Sequence, residues 1–155
     1  MIPVAIFLSS LVQHLIAVVL AIGVAAAWLK HLSPVVLMLL VYTVLLGMFA
    51  VGVAWITSSL HVYLRDTAQI LSVALTFWFW LTPVFITRDH YPAMFRFLVA
   101  VNPLAHAANA YRNGLLSSRP PDLHEVALIG FYGVVSFVIG GLFFRFLKRG
   151  FADVL

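Results

Sequence analysis

The chain has 155 residues, 64% of them hydrophobic and 9% charged, with a formal net charge of +4, whereas a typical soluble domain is about 45–50% apolar and about 25% charged. Too little polar surface remains to coat a water-soluble globule, so the composition is that of an integral membrane protein. The absence of cysteine excludes disulfide frameworks, thiolate metal sites and cysteine nucleophiles, and the scattered Lys and Arg residues form no nucleic-acid footprint.

Ile2 to Leu29 is the first apolar segment, too long and too weakly basic at its start to be a signal peptide. Gln13 and His14 divide it into a surface-lying or loosely inserted opening, Pro3 to Gln13, and a spanning helix over 14–29. Ala17, Ala21 and Ala25 recur every four residues, the small-xxx-small spacing that lets helices approach closely in lipid, so this face is expected to meet another helix. Lys30-His31-Leu32-Ser33-Pro34 reads as a compact loop, with Ser33 as cap and proline tolerated in the first turn of the next helix. The second span is expected over 35–56, with Gly47, Ala50 and Ala54 as small packing residues and Thr57-Ser58-Ser59 closing it.

Arg65 and Asp66 follow, placed at the water surface because a charge at the bilayer centre costs at least ~2.5 kcal/mol. They read as a solvated pair with Asp66 capping the next helix, or as a contact with a partner or within a gate. The third span, 68–86, ends in Phe77-Trp78-Phe79-Trp80 and Leu81-Thr82-Pro83. Four successive aromatics point all round a helix. They suit an interfacial belt and equally a stacking surface for a sugar or lipid, and the two roles are compatible.

From Thr87 to Leu123 the apolar pattern is interrupted by Arg88, Asp89, His90, Arg96, Asn102, His106, Asn109, Arg112, Arg119 and Asp122. Two short helices, 93–101 and 104–116, are expected to join at Asn102-Pro103, which pairs a good N-cap with proline at the first helical position. Each is too short to span, so residues 92–116 read as a hairpin lying on, or dipping into, one membrane face. Ser117 to Asp122 is an exposed turn.

The last span is expected over 126–146, with Gly130, Gly133, Ser136, Gly140 and Gly141 as a packing face. Arg145, Lys148 and Arg149 anchor its end in the cytoplasm under the positive-inside rule, which with four spans puts both termini there. The rule is weakly discriminating here: Arg65, Arg145, Lys148 and Arg149 lie on one side against Lys30, Arg88, Arg96, Arg112 and Arg119 on the other. The expected fold is therefore all-α, a single transmembrane domain of about four transmembrane helices plus an extracytoplasmic re-entrant or interfacial helical hairpin. The six histidines never stand at i, i+4 on one helix, so no metal site is expected. Asp89 and Glu125 are too isolated to form an acid/base pair.

VYLRD before a span, FWFWLTPVF at its far end, NPLAHAANAYRNGLL beyond, and a glycine-bearing last span closing in FRFLKRGFADVL together resemble the permease subunits of type 2 ABC transporters, specifically exporters of O-antigen, capsule or teichoic-acid polysaccharides. The resemblance covers nearly the whole chain and rests on the order and spacing of these motifs. It implies that Tyr63, Arg65 and Asp66 form a cytoplasmic loop, and that the hairpin is an extracytoplasmic gate with Asn102-Pro103 and Tyr111-Arg112 at gate-helix positions. It also implies that Phe77, Trp78, Phe79, Trp80 and Pro83 lie near the exit of a channel in the inner membrane, and that 145–155 is a cytoplasmic tail. Such permeases have six spans after an amphipathic helix, so this chain corresponds to their C-terminal two-thirds. No phosphate loop G-x-x-x-x-G-K-[ST] occurs and the lysines are Lys30 and Lys148, so ATP belongs on a separate ATPase and no cofactor on this chain.

The implied assembly is two permeases with two ATPases, moving an undecaprenyl-diphosphate-linked glycan whose sugars stack on Trp78 and Trp80. Tyr111-Arg112 is suited to hold a phosphate or sugar, or to anchor at the interface. The alternatives are an intramembrane transferase acting on lipid-linked sugars through Asp89, His90 and Arg112, or a non-transporting structural membrane fragment. An enzyme would turn over without an ATPase, a permease would need one, and a structural fragment would tolerate loss of the gate residues.

Overall fold

A computed structural model describes residues 2–29, 34–84, 92–117 and 122–153. Among these the elements are all helical: α1 (Ile2–Leu29), a 3-10 turn (Pro34–Leu37) leading into α2 (Met38–Tyr63), α3 (Thr67–Leu81), α4 (Ala93–Val101), α5 (Pro103–Arg112), a π turn (Asn113–Ser117), α6 (Leu123–Leu147) and a 3-10 turn (Lys148–Asp153). The loop at Lys30 to Ser33, the residues Arg88, Asp89 and His90, the turn at 118–121 and the final Val154-Leu155 lie outside the described residues.

Among the described residues three helices, over Val4–Trp28, Val35–Tyr63 and Leu123–Gly150, are long and apolar enough to cross a membrane. At about 1.5 Å per residue each exceeds the roughly 30 Å hydrocarbon thickness, and the chain is a multi-pass membrane protein. The expected division of the first segment does not occur. Gln13 and His14 sit inside one continuous helix, because no proline or glycine breaks it there and both side chains fit a helical turn. The segment expected to span over 68–86 is a 15-residue helix ending at Leu81, about 22 Å long. Its stop is Pro83: the residue before a proline avoids the helical region, and Thr82 is extended at φ −90°, ψ 125°.

α2 runs past Ile56 to Tyr63, although Thr57-Ser58-Ser59 was expected to close it. The hydroxyls donate back to helix carbonyls, Thr57 to Val53 at 3.0 Å, Ser58 to Trp55 at 3.2 Å and Ser59 to Trp55 at 2.7 Å. Self-satisfied in this way, they need no water and the helix continues.

α2 and α6 form the core pair. Gly133 lies at Leu45, Ser136 and Gly140 at Gly52, and Gly141 at Trp55, so residue numbers rise together and the helices run parallel. A Cβ on Gly133 would stand 2.6 Å from the Leu45 carbonyl oxygen, and one on Gly140 would meet the Gly52 backbone. The Ser136 hydroxyl donates to Phe49 O at 3.1 Å in the same seam, and Tyr63 donates to Leu147 O at 2.9 Å beyond it. The glycine face expected on α6 is thus used, but its counterpart on α2 is Gly52.

Gly47 instead faces the Phe7 ring of α1, and Ala50 is exposed. Phe7 at Gly47 and His14 at Thr43 make α1 antiparallel to α2. Of the expected alanine face only Ala25 is buried and Ala17 is exposed, because the seam is centred on Val18, which joins Leu39, Tyr42, Ala107, Ala110 and Ile129 in the buried apolar cluster.

α6 begins at Leu123, slightly before the expected 126. Asp122 accepts from His124 N at 2.9 Å, and Glu125 lies in the first turn. This arrangement of Asp and Glu is a helix-start signature. Asp66, expected to cap α3, makes no side-chain cap bond. The turn is held by backbone and by the Thr67 hydroxyl, which donates to Leu64 O at 2.6 Å.

Candidate functional site

α3 is shorter than a membrane-spanning helix, and the hairpin is hydrogen-bonded to its end. In lipid, non-helical backbone is tolerated only where protein satisfies its polar groups. Asn102 and Pro103 are buried at the α4/α5 corner. The Asn102 carboxamide oxygen accepts from its own cap position, Leu104 N, at 3.0 Å and from Trp78 Nε1 at 2.8 Å, while its Nδ2 donates to Thr82 Oγ1 at 3.1 Å. Thr82 Oγ1 in turn donates to Trp78 O at 2.9 Å.

Arg112, at the other end of α5, donates from Nη2 to Pro83 O at 3.1 Å and to Val84 O at 2.9 Å. The carbonyls freed where α3 stops are therefore taken up by a guanidinium, which also places this basic side chain without exposing it fully. His106 Nε2 donates to Ala100 O at 2.8 Å across the corner, and its buried Nδ1 has no partner. The short helix and the hairpin end in one hydrogen-bonded unit.

Beside this unit lies an open groove of about 570 Å³ between α1, α2 and α3. Its walls are apolar, with Leu46, Val53, Leu71 and Leu75 prominent, and Gly47, Ala50 and Ala54 line the α2 side. Trp78 and Leu104 bring α3 and the hairpin to its edge, and Trp78 meets Phe49 edge-on at 5.8 Å. At that end His14 and Thr43 line the groove. Tyr111 lies 2.9 Å from His14 Nε2 and 2.6 Å from Thr43 Oγ1 through its hydroxyl.

The expected site residues fall into three places. Trp78, Pro83, Asn102, Pro103 and Arg112 come together in the corner unit, with Tyr111 next to it. Phe77 and Trp80 point outward, 69% and 71% exposed, with Trp80 stacked edge-on against Phe79 at 5.9 Å. Tyr63, Arg65 and Asp66 lie at the opposite end of the bundle, where Tyr63 joins α2 to the end of α6 and Arg65 and Asp66 are exposed. His14 and Thr43 were not expected at a site. Their signal in the sequence is a histidine amid an apolar run, since an ionisable residue at membrane depth marks a functional position by default. Among the described residues no group of three His, Asp or Glu side chains could hold a metal ion.

Two comparisons with known proteins found relatives of this chain. The ABC-2 type transporter family matches residues 1–116. Two proteins described as O-antigen export system permease protein RfbA, both from Klebsiella pneumoniae, are 29% identical over 107 residues and 27% identical over 111 residues. Each alignment covers 69% of this chain and 41% of the relative, so the chain spans well under half the length of these relatives. With the family matched across all of α1 to α5 and most of the π turn, this chain belongs to the ABC-2 type transporter family.

Proposed function

We propose that this chain is a permease component of an ABC exporter that moves lipid-linked polysaccharide of O-antigen, capsule or teichoic-acid type across the cytoplasmic membrane. The observation that carries the reading is the re-entrant corner, in which a helix too short to span is completed by a hairpin whose buried polar groups are bonded to it. A bundle built only to be stable has no need of such an interrupted crossing, whereas a pathway needs an element that can part without unfolding. In this reading the hairpin, through Asn102, Pro103, Tyr111 and Arg112, is the gate on the outer side. The groove and Trp78 border the pathway, with the indole N–H held by Asn102 and the ring at the groove edge as the stacking surface for a sugar. The outward faces of Phe77, Phe79 and Trp80 suit membrane lipid or a second permease copy.

Energy comes from a separate ABC ATPase, which would dock at the exposed Arg65-Asp66 turn at the cytoplasmic end, with both termini on that side. Neither a cofactor nor nucleic acid enters the mechanism of this chain. The relatives are described as O-antigen export permeases, which favours a lipid-linked glycan over other cargo. Deleting the chain's coding sequence in its native host tests the reading. The expected result is loss of surface polysaccharide with lipid-linked glycan accumulating inside. Absence of the lipid-linked glycan altogether would instead identify a transferase, and an unchanged surface would identify a structural fragment.

A further inference from the structure

We propose that Tyr111 is a hydrogen-bonded plug closing the hairpin end of the groove, held there by His14 acting as an Nε2–H donor. The groove lining runs along α2 from Thr57 to Thr43 and along α1 from Ile6 to His14, about 21 Å on α2. Both walls stop at the rung that Tyr111 bridges. Beyond it lies the buried cluster of Val18, Leu39, Tyr42, Ala107, Ala110 and Ile129, against which Tyr111 packs. Its ring is edge-on to His14 at 5.8 Å and tilted against Tyr42 at 6.5 Å, so the side chain fills the space between the last groove residues, His14 and Thr43, and that cluster.

The proton count gives the bonds a direction. The Thr43 hydroxyl has one proton, which it donates to Leu39 O at 2.8 Å, and it therefore accepts from the Tyr111 hydroxyl at 2.6 Å. In this assignment the Tyr111 oxygen accepts from His14 Nε2–H at 2.9 Å, and the same N–H faces Thr43 Oγ1 at 3.4 Å. His14 thus completes the set and leaves no donor of the rung without an acceptor. Arg112 and Asn102 bind the hairpin to α3, whereas Tyr111 makes its hydrogen bonds to α1 and α2, beside the apolar packing of Ala107 and Ala110, so displacing Tyr111 opens the rung at the groove end. The biological meaning of the plug rests on reading the hairpin as a gate.

The natural absence of cysteine makes a labelling test direct. Leu46, half-buried in the groove wall near the rung, is replaced by cysteine in the otherwise unchanged chain in cells, and its reaction with a membrane-impermeant maleimide added outside is timed. Slow labelling is expected. Tyr111→Phe and His14→Leu should each accelerate it by roughly tenfold, the ratio expected when one or two net hydrogen bonds stop holding the closed state, and Tyr111→Ala by more. His14→Gln, whose amide still donates, should restore slow labelling, which a general loss of folding would not. Equal rates in the parent, Tyr111→Phe and Tyr111→Ala overturn the plug, as does fast labelling in the parent. Polysaccharide export is read in the same cells: accelerated labelling with unchanged export retains the plug and removes the gate.

Discussion

Asn102 carries more of the site than any other single residue, because one carboxamide serves as helix cap, partner of Trp78 and donor to Thr82. Removing it leaves buried donors without acceptors, and each such group costs about 1–3 kcal/mol. Asn102→Ala is therefore expected to destabilise the folded protein by about 2–3 kcal/mol, read as a lower thermal unfolding midpoint in detergent and faster hydrogen exchange at Leu104 N–H. A midpoint within error of the parent would mean that the corner is held by packing alone. The cap itself was legible, since Asn-Pro is a local signal. Its partners were not: Trp78 and Thr82 lie 24 and 20 residues away, and only the fold brings them together. His14 is the sharper case. Read locally, it marks a break in an apolar helix, whereas its partners Thr43 and Tyr111, 29 and 97 residues further on, let it remain in the middle of one.

At the scale of elements, the glycines of α6 form the tightest joint in the molecule. A Cβ at Gly140 would collide with backbone of α2, while one at Gly23 on α1 would meet nothing within 4 Å. Gly140→Ala should therefore part the α2/α6 pair and cost at least the ~1–3 kcal/mol of an overpacked core, and Gly23→Ala should be neutral or slightly stabilising through its better helix propensity. Thermal unfolding of both variants in the same detergent checks the contrast, and equal midpoints would refute the close backbone approach. The small-residue spacing on α6 could be read from the sequence because it is a local pattern with one physical use in lipid. On α2 the same kind of pattern pointed at Gly47, Ala50 and Ala54. There the sequence holds two small faces, and spacing alone does not say that Gly52 takes the helix while Ala50 and Ala54 are left lining a groove. The length of α3 was misjudged for a related reason: apolar composition continues to Ile86, but proline acts on the backbone and ends the helix first.

For the molecule as a whole, the contacts determine which ends share a side before any membrane orientation is assumed. α1 runs antiparallel to α2 through Phe7 at Gly47 and His14 at Thr43, and α6 runs parallel to it through the glycine seam. Residue 2, Tyr63 and Lys148 therefore lie toward one end of the bundle, with Pro34 and Leu123 toward the other. Arg65, Arg145, Lys148 and Arg149 gather at the first end, which the proposed orientation puts in the cytoplasm. Packing thus fixes which basic residues share an end, grouping 65 with 145–149 although they are far apart in sequence, while Arg96 and Arg112 lie with the hairpin, so the charge balance alone does not decide which end is inside. Single cysteines at positions 65, 123 and 148 separate the two inferences. Leu123→Cys should react with an impermeant maleimide in intact cells, and Arg65→Cys and Lys148→Cys only after the membrane is opened. If all three report reversed sides, the bundle stands and its orientation is wrong. If Arg65→Cys and Lys148→Cys lie on opposite sides, the parallel pairing of α2 and α6 fails, and with it the placement of the hairpin against the groove.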